Sequence, residues 1–324
     1  MTTCTAVFRG VFVLLAGALV SACPSRLDEA APKAAKLVDQ VPAADRSVPA
    51  LQELKNAAYT GVEEAGAAFT LADGKWEGQP FAPGAASRPS VTFVRNFRLA
   101  GDVDGDGAEE AVVLLAANAG GTGETSYLAV VGRPGGSVTN VATARIGDRV
   151  QVRNARLAER RIVLDVVQAG ENDAACCPGD LVTRTWELSG AVLEEAPPVK
   201  TGRLSLDILA GTKWVLTWWA WDEPAPAAPE VTLTLDGARL VGSAGCNTYF
   251  AQVTPGDGPG DLEVRPAGST RKMCPEAEMT VEQRFLEQLA GVTQMRFVAG
   301  QLALPYAKKD TSFGTMLFDR RAAK

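Results

Sequence analysis

The sequence contains no histidine among its 324 residues. This absence removes the commonest general base of enzymes, the serine–histidine and cysteine–histidine nucleophile pairs, and imidazole metal sites. Carboxylate pairs can still carry out acid–base chemistry, so an enzyme is disfavoured but not excluded. Aromatic residues are also scarce, at 6% of the chain, whereas glycine is plentiful, with 32 residues. This composition is typical of a β-rich protein with many turns.

Positive charge is in short supply as well. The formal net charge is −6, and no stripe of lysine or arginine stands out. Because nucleic-acid-binding proteins carry a basic patch, we expect no nucleic acid partner. A long apolar run is missing near the N-terminus, where the apolar stretch at residues 11–20 is shorter than the ~20 residues that span a bilayer. A membrane-spanning helix is therefore not predicted there.

The N-terminal residues instead have the layout of a secretory signal. Arg9 precedes the apolar residues 11–20, and small residues then lead directly to Cys23. This order of positive, apolar and small residues is that of a cleaved signal peptide. A cysteine at this position resembles the lipobox of bacterial lipoproteins, in which that cysteine receives the lipid. We therefore predict a lipoprotein signal peptide at residues 1–22 and lipidation of Cys23; the alternative is a plain signal peptide with an incidental cysteine.

The lipoprotein resemblance implies a compartment. The mature chain would begin at Cys23, outside the cytoplasm, and would be held at the membrane by its lipid. Pro24 follows the cysteine, whereas an aspartate there would favour retention at the inner membrane. The expected location is thus the bacterial cell envelope, at the outer membrane and facing the periplasm. Residues 23–58 are rich in alanine, proline and charge, which predicts a tether, with a short helix near residues 50–58.

A β-rich domain is predicted at residues 59–198. Short apolar or alternating segments are separated there by glycine-rich turns, which favours an antiparallel meander, a sandwich or an open barrel without a long helix. The predicted strands are residues 91–94, 110–115, 127–131, 138–144, 150–152, 162–167 and 181–188.

An acidic loop lies between two of these strands, at residues 102–110. Its carboxylates occupy loop positions one, three, five and nine, and position seven offers a backbone carbonyl, which together supply the oxygen ligands that Ca²⁺ prefers. Because strands flank it, the loop resembles the calcium loops of FG-GAP repeats, in a single copy. A solvated acidic turn is the alternative. We predict a structural Ca²⁺ bound by Asp102, Asp104, Asp106, Glu110 and the carbonyl of Ala108.

A different module is predicted at residues 203–320, after the proline pair at 197–198. Residues 280–290 predict its helix, with Val281, Phe285 and Leu289 on the buried face. The predicted strands of this module are residues 214–219, 231–235, 240–243, 295–298, 302–304 and 316–318.

The motifs of this module resemble the META/HslJ-like family. They are residues 209–214 (LAGTKW), 245–247 (GCN), 270–275 (TRKMCP), 282–286 (EQRFL) and 291–292 (GV). The resemblance implies a small β-sheet domain with one helix, found in bacterial envelope or secreted proteins and linked in general terms to stress. It implies no catalytic activity. The predicted fold class of the whole chain is mainly β, a β-rich α+β protein.

Four cysteines remain besides those of the signal and the lipobox. Cys246 and Cys274 lie in two of the family-like motifs, and in an oxidising compartment we predict a disulfide between them, against the alternative of two buried thiols. Cys176 and Cys177 are adjacent in sequence. A vicinal disulfide and two free thiols both remain open for this pair.

Tryptophans cluster at the start of the C-terminal module. On a strand, Trp214 and Trp218 share the face predicted to be core, and Trp219 lies on the other face. We predict that Trp219 and Trp221 form an exposed patch for an envelope protein partner. The alternative is that they pack beneath the proline-rich residues 224–229.

These observations favour a non-enzymatic lipoprotein of the bacterial envelope that acts as a binding or stress-related module. The alternative is a periplasmic enzyme that uses carboxylates or a redox-active Cys176–Cys177 pair.

Overall fold

The computed structural model describes residues 47–174, 176–307 and 312–321, which fall within one compact unit. The predicted signal peptide, Cys23 and most of the predicted tether lie outside these residues. Strands make up 51% of the structure and helices 10%, which confirms the mainly β prediction. None of the helices in the described part of the chain is both long and apolar enough to cross a bilayer.

The first sheet is an antiparallel meander preceded by a short N-terminal segment. That segment contains the single-turn helix α1 (Leu51–Leu54), the paired strands β1 (Ala58–Tyr59) and β2 (Phe69–Thr70), and a 3₁₀ turn at Glu63–Ala65. Within residues 47–174, five consecutive strands form the sheet: β3 (Lys75–Glu77), β4 (Ser90–Gly101), β5 (Glu110–Asn118), β6 (Thr125–Gly132) and β7 (Thr139–Asp148).

The second sheet is also antiparallel. It follows the first sheet, whose β6 and β7 are connected through a 3₁₀ turn at Pro134–Gly136. The order of the described strands is β11–β10–β9–β8, and β12 pairs with β10 as well. Their bounds are β8 (Gln151–Ala158), β9 (Arg161–Gln168), β10 (Asp180–Ser189), β11 (Val192–Glu195) and β12 (Val199–Arg203).

The first sheet is covered on both faces. Val113 of β5 packs in one apolar cluster with Tyr59 of the N-terminal segment. Its neighbour Val112 points the other way and packs with Ile162 of the second sheet. A strand buried on both faces needs apolar residues at every position, which explains the continuous apolar run predicted at residues 110–115.

The C-terminal module contributes one large antiparallel sheet and one long helix, α2 (Glu276–Leu289). A 3₁₀ turn at Leu206–Leu209 leads into it. Among its described residues the sheet order is β18–β17–β16–β15–β13–β22–β21–β20, with β14 paired to β13 and β19 paired to β17. The bounds are β13 (Lys213–Ala220), β14 (Glu223–Pro224), β15 (Thr232–Asp236), β16 (Arg239–Ser243), β17 (Thr248–Pro255), β18 (Leu262–Val264), β19 (Gly268–Ser269), β20 (Arg296–Val298), β21 (Gln301–Ala307) and β22 (Phe313–Arg321).

Helix α2 begins four residues earlier than predicted. Pro275 occupies its N-cap, and Glu276 and Glu278 lie in the first turn, where negative charge stabilises a helix. Phe285 and Leu289 are fully buried, and Val281 packs against the same core. The predicted apolar face of the helix is therefore confirmed.

The two modules meet along β4 and β8. Residues 94–97 of β4 bulge out of the ladder with β5, and the guanidinium of Arg95 lies 4.5 Å from the ring centroid of Trp218. The turn between β20 and β21 reaches back to β8, where the Gly300 N–H donates to the Val152 carbonyl at 2.9 Å. Contacts from both directions thus join the two modules.

Candidate functional site

The acidic loop connects β4 to β5 and brings its three aspartates together. The carboxylate oxygens of Asp102, Asp104 and Asp106 lie within 4.8 Å of one another. Each aspartate also accepts a backbone N–H of the loop, as Asp106 Oδ1 does from Ala108 at 2.6 Å. The loop is folded by its own side chains, which is the usual behaviour of aspartate in tight turns.

Glu110 is placed differently from the prediction. Its side chain is buried, and Oε2 accepts the Val103 N–H at 2.8 Å, so it braces the loop instead of joining the aspartate cluster. The pKa of the Glu110 carboxyl is raised overall, mainly because the group is buried. The charges of Asp104 and Asp106 also raise it, and the hydrogen bond from Val103 opposes the shift. Glu110 differs from the prediction because it is the first residue of the buried strand β5.

An arginine lies against the acidic loop. Gly105 has a left-handed φ of 88°, and the Arg160 guanidinium occupies the space that a side chain at residue 105 would need. Glycine is therefore required there for two reasons, the backbone conformation and the close approach. The guanidinium also offsets part of the mutual repulsion of the three aspartates.

The four remaining cysteines fall into two pairs that can form disulfides. Cys246 and Cys274 have a Cα–Cα distance of 5.9 Å, typical of an unstrained bridge, with their sulfurs in bonding contact. The sulfurs of the neighbours Cys176 and Cys177 are also in contact. The oxidation state of each pair in the protein stays a prediction.

Asn247 is a buried hub that the sequence analysis missed. Its Oδ1 accepts from Thr270 Oγ1 and from the Lys272 N–H, both at 2.7 Å. Its Nδ2 and its backbone N–H both donate to the Glu282 carboxylate. The residue thereby joins three of the family-like motifs, at residues 245–247, 270–275 and 282–286. The presence of these motifs in the sequence was the only signal for the hub. Because these polar atoms are bonded within the protein, the hub is structural.

The predicted pair of exposed tryptophans is wrong for one member. Trp221 is 48% exposed, but Trp219 is only 3% exposed and belongs to the core. The reason is a bulge in β13 between Leu216 and Trp218, where the register against β22 shifts and the alternation of faces is broken. Trp219 lies beneath the guanidinium of Arg284, at 4.5 Å, and packs in the core of the C-terminal module.

A groove of about 750 Å³ lies between the modules. Such a volume is within the ~300–1,000 Å³ range of ligand sites. Trp221 and Cys176 both line it, together with Glu124, whose pKa is raised by burial and by Asp148. Its positive charges are Arg95, Arg149 and Arg296; its apolar lining includes Val94, Leu114, Val150, Phe297, Pro305 and Leu317.

Comparison with known proteins identifies the C-terminal module. Residues 207–316 match the family model of the META domain. This part of the chain is a META domain. The match confirms the resemblance drawn from the motifs, and a META domain indicates a bacterial domain related to envelope stress. No curated protein sequence matches the chain.

One solved structure is similar to part of the chain. It is the NMR structure of a protein from Burkholderia xenovorans, which is 25% identical. The alignment covers 36% of this chain and 86% of that protein, with a TM-score of 0.29.

Proposed function

We propose that this protein is a lipid-anchored, non-enzymatic binding protein of the bacterial envelope. Its binding site would be the groove between the META domain and the module at residues 59–198. The observation that carries the proposal is the groove itself, which is of ligand-site size and combines an apolar lining with arginines and an exposed tryptophan. The absence of histidine from the sequence supports binding over catalysis.

The chemistry of the groove favours an apolar partner segment that carries carboxylates. Among the described residues, Arg95 and Arg296 have no carboxylate within 4.0 Å; Arg95 stacks on Trp218, and Arg296 donates to Gln294. Two guanidinium groups that no described carboxylate pairs with attract negative charge locally. The partner we propose is therefore an acidic, apolar segment of an envelope protein.

Trp221→Ala should weaken capture of that partner without changing the melting temperature. A tryptophan at the centre of an interface contributes about 2 kcal/mol or more, equivalent to roughly thirtyfold in affinity. The measurement is recovery of envelope proteins on immobilised mature protein. Phe250→Ala is the matched control, since Phe250 is 52% exposed but does not line the groove. Equal recovery with both variants would contradict the proposal.

A redox role for the Cys176–Cys177 pair is the second candidate function. It is favoured by one observation, the position of Cys176 in the lining of the groove. A strongly oxidising reduction potential, measured for the native protein in thiol–disulfide buffers, would replace the binding proposal with this one.

We also propose that the acidic loop holds a Ca²⁺ ion through Asp102, Asp104, Asp106 and the Ala108 carbonyl, with Glu110 bracing the loop. The donors are all hard oxygens, and the three carboxylates converge within 4.8 Å. When bound, the ion would neutralise their charge and pin β4 to β5.

Chelation of Ca²⁺ should lower the melting temperature, and Asp104→Asn should abolish the difference. At ~1 mM free Ca²⁺ and a dissociation constant of ~10⁻⁴ M, binding stabilises by about 1.4 kcal/mol, or roughly 2–6 °C. The measurement is calorimetry with and without chelator. Asp257→Asn, at an exposed aspartate in another loop, is the control and should keep the full response. A wild-type protein that melts identically in both conditions would argue against the ion.

A further inference from the structure

A second, smaller cavity lies at the junction of the modules, beside the groove. Its volume is about 220 Å³, below the ~300–1,000 Å³ of sites for drug-sized ligands. Three arginines on three different strands line it: Arg98 on β4, Arg153 on β8 and Arg320 on β22. Two of the three therefore come from the module at residues 59–198, and the third comes from the C-terminal module.

No described carboxylate neutralises these three arginines. Among the described residues, none of the three has a carboxylate within 4.0 Å. Arg98 donates to the Pro49 carbonyl at 2.9 Å, and the Arg320 guanidinium lies 5.4 Å from the Trp214 ring. Such contacts position the guanidinium groups, but they supply no negative charge.

The acidic group that acts on Arg153 is Asp165, and its carboxylate is already hydrogen-bonded to other residues. Asp165 accepts hydrogen bonds from Arg156 at 3.0 Å and from Thr183 at 2.9 Å. The pKa of Arg153 is lowered overall, mainly because the group is buried. The charge of Arg320 also lowers it, whereas Asp165 raises it. The two cationic groups therefore repel each other across the cavity, and the protein itself offsets this repulsion only in part.

Within the described part of the chain, two buried donors lack an acceptor, one in the cavity lining and one beneath it. The Nε of Arg153 is buried without a hydrogen-bond partner, and so is the Nε1 of Trp214, the ring beneath Arg320. Buried N–H groups are nearly always paired, and an unpaired one costs the loss of its hydration. Both of these groups are donors, and the one that belongs to the cavity lining, Arg153 Nε, would be satisfied by an acceptor bound there.

We propose that this cavity binds a tetrahedral phosphate-type oxyanion. Guanidinium groups match the oxygens of such anions with paired, charge-assisted hydrogen bonds. Three guanidinium groups approaching from three strands offer more donors than the two oxygens of a carboxylate can accept, which favours a tetrahedral anion. The bound anion would join Arg98 and Arg153 to Arg320 and so fasten the two modules to each other.

Titration calorimetry with inorganic phosphate, against chloride at equal ionic strength, tests the proposal on the mature protein. Wild-type protein should release or absorb heat with saturation and should melt at a higher temperature in phosphate. Arg320→Gln should lower the phosphate affinity about tenfold or more, because a charge-assisted contact is lost. Arg265→Gln, at an exposed arginine outside the cavity, is the matched control and should bind as the wild type does.

Two further variants control for a folding defect, and a comparison with lipid vesicles identifies the source of the anion. Arg98→Gln should reproduce the loss if Arg320→Gln melts too early to be measured, and Arg320→Lys should restore binding only in part. Vesicles that carry a phosphate monoester lipid, compared with free phosphate, show whether a lipid headgroup can fill the cavity. No saturable binding of either probe by the wild type would overturn the proposal, as would an equal loss in Arg265→Gln.

Discussion

Cys23→Ser should move the protein from the membrane fraction to the soluble fraction, or leave the precursor unprocessed. Serine has no thiol to carry the lipid, so the variant would lose the anchor that we propose. The expected effect is large because each buried methylene of a lipid chain contributes about 0.8 kcal/mol to membrane binding, and two chains together hold a protein stably. The measurement is fractionation of cells followed by mass determination of the processed chain.

Cys4→Ser provides the matched control for this experiment. Cys4 lies in the same predicted signal peptide but before the apolar stretch, so its replacement should change neither processing nor location. A Cys23→Ser protein that is processed normally and stays with the membrane would refute lipidation at this residue.

Replacing Cys246 and Cys274 together by alanine should lower the free energy of unfolding by about 3 kcal/mol. The two cysteines are 28 residues apart in sequence, and a bridge that closes a loop of this length restricts the unfolded chain by roughly that amount. The corresponding fall in melting temperature is about 6–12 °C. The loss should spread to Asn247, because this hub is the direct neighbour of Cys246 and accepts the N–H of Lys272, two residues before Cys274.

A double alanine variant of Cys176 and Cys177 is the control for the predicted Cys246–Cys274 disulfide. These residues are adjacent, so a bond between them closes no loop and adds little chain-entropy stabilisation. The double alanine variant at this pair should melt close to the wild type. If both double variants melted alike, or if Cys246 and Cys274 were alkylated in unreduced native protein, the predicted disulfide would be wrong.

Features set by neighbouring residues were predictable from the sequence. The buried strand β5 was evident from its continuous apolar run, and the buried face of α2 followed from the spacing of Phe285 and Leu289. The aspartate cluster is equally local, because its side chains fold the loop that carries them. Strand β17 was missed although Tyr249, Ala251 and Val253 alternate inward, so its signal was present in the sequence.

Features that depend on distant partners were not predictable. The burial of Trp219 depends on a bulge whose geometry is set by pairing with β22, far along the chain. The groove and the arginine-lined cavity arise where β4 and β8 meet the C-terminal sheet. Nothing in the spacing of Arg98, Arg153 and Arg320 indicates that these side chains share a cavity, since only the docking of the modules brings them together.

The position of β22 in its sheet determines when the C-terminal module can fold. This strand lies between β13 and β21, and Thr217 of β13 bonds to the Leu317 carbonyl, 100 residues away in sequence. Contacts between such distant residues form slowly because the intervening loop must close first. A chain that emerges from a translocation channel with its N-terminus first would therefore keep β13 and β21 as open edges until β22 arrives. Open edges pair readily with other chains, so we expect the chain to be most prone to aggregation during this interval.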